Sequence, residues 1–164
     1  MPLQRLQKLS EIAPQTWDAM VPQSQPFLRH AFLSALEDSG SVGPHSGWQP
    51  EHLLHVEGDR LIAALPGYRK WHSYGEYVFD HGWADACARA GIDYYPKFLS
   101  AVPFSPVSGP RLLAANVEDG FELLKSLPGY LEIEELSSAH INFTDAFTDA
   151  AMAEQPGWLQ RIGC

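Results

Sequence analysis

Two short apolar runs on either side of a Gly-Asp pair constrain this chain most. Residues 51–57 and 60–65 flank Gly58-Asp59. Glycine first in a two-residue loop suits a type II′ turn, so the runs are expected to pair as a β-hairpin. In the second run Leu61, Ala63 and Leu65 face one way, and Ile62 and Ala64 face the other. A strand that is apolar on both sides belongs in the middle of a sheet with a layer above and a layer below. Pro66-Gly67 interrupts it, and the strand is expected to resume through Tyr68 and Lys70.

Helix signals surround the hairpin. Pro14 opens a short helix carrying Trp17 and Met20, and the apolar spacing of Phe27, Leu28, Ala31, Phe32, Ala35 and Leu36 predicts an amphipathic helix ending near Gly40. Residues 39–50 read as an ordered loop anchored by Trp48. Helices are predicted over 83–90, 117–127 and 144–153, the last with Thr144 as N-cap. Strands are predicted over 3–9, 94–102 and 138–143, with 131–136 open between strand and connection. Residues 72–80 are open between loop and extended strand. The segment 103–110 holds three prolines and is expected to be irregular. Residues 157–164 look like the start of another strand. The whole predicts an α/β fold, with a mixed, mostly antiparallel sheet flanked by helices.

A chain of 164 residues, 45% hydrophobic and 19% charged, suits one globular domain. The net charge of −9 and the lack of a basic run argue against a nucleic-acid surface, a local groove excepted. The N-terminus is too polar for a signal peptide, and no window reaches the roughly 18 apolar residues of a membrane span. A cytoplasmic location is the expectation. Cys87 and Cys164 offer no disulfide framework, and Cys87, among small residues of a predicted helix, reads as buried and inert.

Charge and aromaticity concentrate in residues 66–111. This stretch holds ten of the 19 aromatic residues and has five Lys or Arg against four Asp or Glu, while the rest of the chain is strongly acidic. Glu76, Asp80, Lys97 and Arg111 sit among rings and glycines where an ordinary core would have aliphatics. Glu76, between Tyr74 and Tyr77, reads either as a general base with a raised pKa or as a structural carboxylate bonded to tyrosine hydroxyls. Lys97, after Tyr94-Tyr95-Pro96, reads as a holder of a ligand carboxylate or phosphate, or as a snorkelling strand lysine. Arg111 reads as a bidentate clamp or an ion-pair partner. His140 reads as a proton carrier or a core histidine. His52, His55, His72, His81 and His140 show no metal-ligand spacing, so no metal is expected. No Walker loop, G-x-G-x-x-G or G-x-S-x-G is present.

The run HSYGEYVFDHGWADACARAGIDYYPKFLSAVPFSPVSGPRLL, with PFLRHAFLSALEDSG, GWQPEHLL, LPGYRKWHS and SSAHINF, resembles a mostly bacterial family labelled peptidoglycan biosynthesis/recognition, placed in the GNAT acyltransferase superfamily. That family is similar to Fem-type aminoacyltransferases, which are built from two tandem GNAT-like halves. The resemblance implies a GNAT-like fold, with residues 1–155 as the N-terminal half and 156–164 as the cut start of a second half. It implies acyl or aminoacyl transfer to an amine acceptor, with a cell-wall precursor as substrate and the C-terminal half as partner. The alternative is a non-catalytic recognition module or an inactive fragment. The acyl-CoA phosphate loop of N-acetyltransferases is missing, so no cofactor is expected on this segment, and acyl-CoA or aminoacyl-tRNA would be a donor to the longer protein. The resemblance identifies no catalytic residue, and Glu76 and His140 are the catalytic candidates on the reading of the residues themselves. Tyr74, Tyr77, Asp80, Tyr95, Lys97, Phe104 and Arg111 match the family's motif positions as pocket or core residues and are the substrate-binding candidates.

Overall fold

In the computed structural model, which describes residues 2–162, the hairpin is longer than the turn alone implies. Strand β1 (Gln4–Leu6) is followed by helices α1 (Pro14–Asp18) and α2 (His30–Asp38). Then come β2 (Trp48–Pro50), β3 (His52–Glu57), β4 (Arg60–Leu65) and β5 (Tyr68–Lys70). Helix α3 (His81–Ala90) leads to β6 (Lys97–Ser100) and β7 (Leu113–Ala114). Helix α4 (Val117–Ile133), β8 (Ala139–Ile141) and α5 (Ala146–Ala153) complete the order. Gly58 takes φ 59 and Glu57 pairs with Arg60, as a two-residue hairpin loop requires.

The strands form two four-stranded sheets, in orders β1-β3-β4-β7 and β2-β5-β6-β8. All pairings are antiparallel except β6 with β8. The hairpin runs through both sheets. Pro50 pairs with Tyr68 and Leu53 with Leu65 in one unbroken register, and Glu51 N–H donates to Gly67 O at 2.9 Å between them. The sheets part at Pro66-Gly67. Ser100 Oγ donates to Pro66 O at 2.6 Å, and the backbone N–H of Gly67 donates to His52 Nδ1 at 3.1 Å. His52 Nε2 in turn donates to Glu37 Oε1 at 2.9 Å, tying the crossing point to α2. The ring of Phe98 lies where a side chain at 67 would stand, 2.1 Å from an ideal Cβ.

Strand β4 is buried on both faces, as its pattern predicts. Ala63 and Leu65 pack with Leu53, Phe98 and the α4 residues Leu123, Leu124 and Leu127. Ala64 packs on the other side with Leu54, Trp17, Leu28 and Leu33. A third cluster, Val42, Trp48, Tyr68, Leu99 and Ala101, lies on one face of the second sheet. Trp48 begins a strand and also anchors the preceding loop, packing with Val42 and accepting from Gly43 N–H at 2.8 Å. Helix α4 runs past Pro128 to Ile133, where a stop was expected near 127. Burial of Leu127 and Tyr130 outweighs the backbone bond that Pro128 cannot make. The N-cap of α5 is Asp145, whose carboxylate accepts from Thr148 N–H. Residues 158–162 have no regular structure, and Gly163 and Cys164 lie outside the described residues.

Replacing Gly67 with alanine is expected to lower unfolding free energy by about 1–3 kcal/mol through overpacking against Phe98. Gly129→Ala, on the exposed side of α4 with open space around it, should instead be neutral or stabilise by up to about 1 kcal/mol. Urea denaturation of both variants with an unchanged m-value checks the pair.

Candidate functional site

The second sheet sets two lysines face to face. Lys70 ends β5 and Lys97 begins β6, and they are direct cross-strand partners. Both are fully buried. Directly opposed like charges destabilise a strand pair, and buried ammonium groups need partners. Residues 71–80, the strap between β5 and α3, supply them.

Three strap side chains converge on one ammonium. Lys97 Nζ donates to Asp80 Oδ2 at 2.8 Å, Glu76 Oε2 at 2.9 Å and Ser73 Oγ at 3.0 Å. Asp80 Oδ2 also accepts from Ser73 Oγ at 3.0 Å and Tyr94 OH at 2.6 Å. The single hydroxyl proton of Ser73 is thereby used, so Tyr95 OH donates to Ser73 Oγ, at 2.7 Å. Lys70 is less well served. Its Nζ donates to Tyr74 O at 3.1 Å, lies 3.8 Å over the Trp48 ring, and stands 3.8 Å from Glu76 Oε1. Glu76 Oε1 and Asp80 Oδ1 are buried without a hydrogen-bond partner.

Burial and charge shift these groups in different directions. Burial raises the Glu76 carboxyl above the usual range, against the opposing pull of Lys97. Burial also acts to raise Asp80, but the bonds from Lys97, Tyr94 and Ser73 outweigh it and hold Asp80 at about 2. Burial lowers Lys70 to about 8, opposed by Glu76 and reinforced by Lys97. Burial, with the Lys97 charge, lowers His140 to about 4, so its imidazole is neutral at neutral pH.

The strap is inverted relative to an ordinary surface loop. Its buried residues, Ser73, Glu76 and Asp80, are all polar. Trp71, Tyr74, Tyr77 and Phe79 are exposed, Phe79 by 81% and Tyr74 by 72%. Trp83 on α3 adds another exposed ring, and no residue of α3 is buried. Phe104 lies beside the Trp48 ring with centroids 5.1 Å apart, and meets Gly75 of the strap. Tyr77 and Phe104 both take φ 58, a backbone region uncommon for residues other than glycine.

The expected site residues thus separate into three groups. Glu76, Asp80, Tyr95 and Lys97 share one hydrogen-bonded cluster. His140 borders it through Tyr94, ring centroids 5.8 Å apart, with Nε2 3.1 Å from Ser138 Oγ. Tyr74, Tyr77 and Phe104 are on the outer surface. Among the described residues Arg111 shares no partner with the cluster and meets no carboxylate as a clamp or ion pair. Its guanidinium donates to the backbone oxygens of Asn142, Pro110 and Val107, and its own N–H to Thr148 Oγ1. Burial lowers it to about 10, opposed by Asp145, so it stays charged at neutral pH. Lys70, Ser73 and Tyr94 were not singled out from sequence. The available signal for Lys70 was strand parity, which puts it on the same face as Tyr68.

Cavities of about 320 and 240 Å³ lie elsewhere, one lined by Val117, Glu118, Phe121, Glu122 and Glu154, the other by residues that include Met20, Pro110 and Phe147. Among the described residues no three His, Cys, Asp or Glu converge as a metal site, and no helix is long and apolar enough to cross a membrane. The model of the FemAB-like family, described as peptidoglycan biosynthesis/recognition, matches residues 8–164. The chain belongs to that family. Comparisons with curated proteins and with solved structures found no match. The FemAB-like assignment connects the chain to peptidoglycan biosynthesis or recognition.

Lys97→Met would leave two buried carboxylates without their ammonium, and a loss of about 3–5 kcal/mol in unfolding free energy is expected. The pH dependence has a definite sign. Folded Asp80 binds its proton more weakly than the unfolded chain does. Its contribution is therefore present above the ordinary value of 3.8 and lost as pH falls towards about 2, and Asp80→Asn should flatten that acid limb. Folded Lys70 also binds its proton more weakly. Burying its charge costs stability in full below about 8, and this cost is relieved as pH rises towards 10.5. The stability difference between Lys70→Met and the parent, measured by urea denaturation, should change across that alkaline window. A difference flat with pH would contradict the assignment.

Proposed function

We propose that the chain takes part in acyl or aminoacyl transfer to an amine of a peptidoglycan precursor, and that its own share is to hold the acceptor. The observation that carries this is the inverted strap, with ions beneath and rings outside. Exposed rings on a strap fixed from below present apolar contact area at low ordering cost. Trp71, Tyr74, Tyr77, Phe79 and Trp83 offer faces for the apolar sides of sugars and edges for peptide groups.

Transfer needs the acceptor amine to lose a proton as its nitrogen forms the new C–N bond and the donor's ester or thioester bond breaks. Two groups here are proposed to take that proton. Glu76 Oε1 is a carboxylate oxygen with no hydrogen bond of its own, and His140 is neutral at neutral pH. A GNAT-like second half that carries the acyl-CoA or aminoacyl-tRNA site belongs to the same proposal. A recognition role without chemistry is the second reading. It is favoured by the lysine cluster, in which each ammonium already meets a strap carboxylate or carbonyl.

Titration of the protein with soluble muropeptides, followed by tryptophan fluorescence, separates these readings when paired with a transfer assay on the full-length protein. Binding is expected, and Trp71→Ala or Phe79→Ala should weaken it about tenfold, or ~1.4 kcal/mol, with unchanged thermal stability. Transfer that survives Glu76→Gln and His140→Gln unchanged would remove both as bases. Binding without any transfer would leave the recognition role. No binding would end both readings.

A further inference from the structure

The way the strap is held points to an exchangeable occupant. From 72 to 79 its backbone makes no backbone hydrogen bond to another element among the described residues. Side chains hold it instead. Lys97 grips Ser73, Glu76 and Asp80, and Lys70 and Trp48 Nε1 both donate to Tyr74 O. Its packing includes the His72 ring on Gly47 and Gly75 on Phe104. The large rings of the strap are already exposed, so lifting it forfeits little hydrophobic burial. The attachment is therefore mainly ionic. A charged competitor can replace it without leaving either lysine bare.

The floor under the strap is the more rigid part. Lys70 and Lys97 stand on paired strands, backed by Tyr68, Leu99 and Trp48. Two adjacent ammonium groups on one sheet face call for a doubly charged partner. The strap fills that need incompletely: Glu76 stands 3.8 Å from Lys70, outside hydrogen-bond range, and Glu76 Oε1 and Asp80 Oδ1 go unpaired. Tyr77 holds a left-handed backbone while the strap is down, a conformation that lifting would release. We propose that Lys70 and Lys97 form a seat for a doubly charged oxyanion of the phosphate or diphosphate class, and that Glu76 and Asp80 of the strap occupy this seat as a built-in competitor. The phosphoryl oxygens of such a ligand would bridge both ammonium groups, and binding would lift residues 71–80.

This inference does not rest on the acyl-transfer reading, and its probe contains neither sugar nor peptide. The experiment is hydrogen exchange of the strap peptide with inorganic pyrophosphate, against sodium chloride at matched ionic strength. Calorimetry gives the affinity in parallel. Exchange over 71–80 is expected to rise about tenfold with pyrophosphate and not with chloride. Glu76→Gln, which removes part of the competing charge, should bind pyrophosphate about tenfold more tightly, and Lys70→Met should bind it about tenfold more weakly. Lys70 meets Glu76 only at 3.8 Å and shares no hydrogen bond with it, so Lys70→Met keeps the hydrogen bonds of the Lys97 cluster and tests the seat even where Lys97→Met fails to fold. Equal exchange in pyrophosphate and chloride, or affinities unchanged in both variants, would overturn the proposal.

Discussion

One ammonium group holds the outer surface of this molecule in place. Lys97 Nζ is the point on which Ser73, Glu76 and Asp80 meet, and those three are the only buried residues of the strap. The exposed residues of the strap take their position from that contact together with the hold of Lys70 and Trp48 on Tyr74 O. Two costs are accepted for it: a lysine without solvent and a second lysine directly opposite. Each is tolerable only while anionic partners face the ammonium groups, because one-sided loss of a buried pair is far more costly than its formation is favourable.

The hairpin explains why the lysines meet. It passes from one sheet into the other without losing register, and Gly67 lets Phe98 approach where the sheets part. Beyond that point β5 takes β6 as its new neighbour, and Lys70 comes opposite Lys97. A hairpin ending at Leu65 would have left β6 with β8 as its one neighbour and Lys97 with no lysine opposite. The first sheet, packed on α4 and on α1 and α2, supplies the apolar core. The second supplies the polar floor.

Local chemistry was legible in the sequence, and partnership was not. The Gly58 turn, the doubly buried β4 and the irregular 103–110 segment follow from residue type and spacing. Glu76, Asp80, Tyr95 and Lys97 stood out because charge among rings is unusual. Their convergence depends on β5 and β6 pairing across a long excursion, and no local pattern encodes that. Lys70 passed unnoticed because a lysine at a strand end ordinarily reaches for water. Arg111 suggested a carboxylate and found backbone oxygens, which carry no residue-type signature. Helix α4 outran its proline because Tyr130 beyond it, buried and bonded to Glu51, rewards one more turn.

That grip of Arg111 has a consequence for how the rim around 103–110 can diverge. The guanidinium reads only carbonyl oxygens, at Val107, Pro110 and Asn142. Every residue type carries that oxygen, so this grip does not depend on the side chains at Val107 and Asn142. Substitution at Val107 can change the character of the rim and leave the arginine its oxygen to hold.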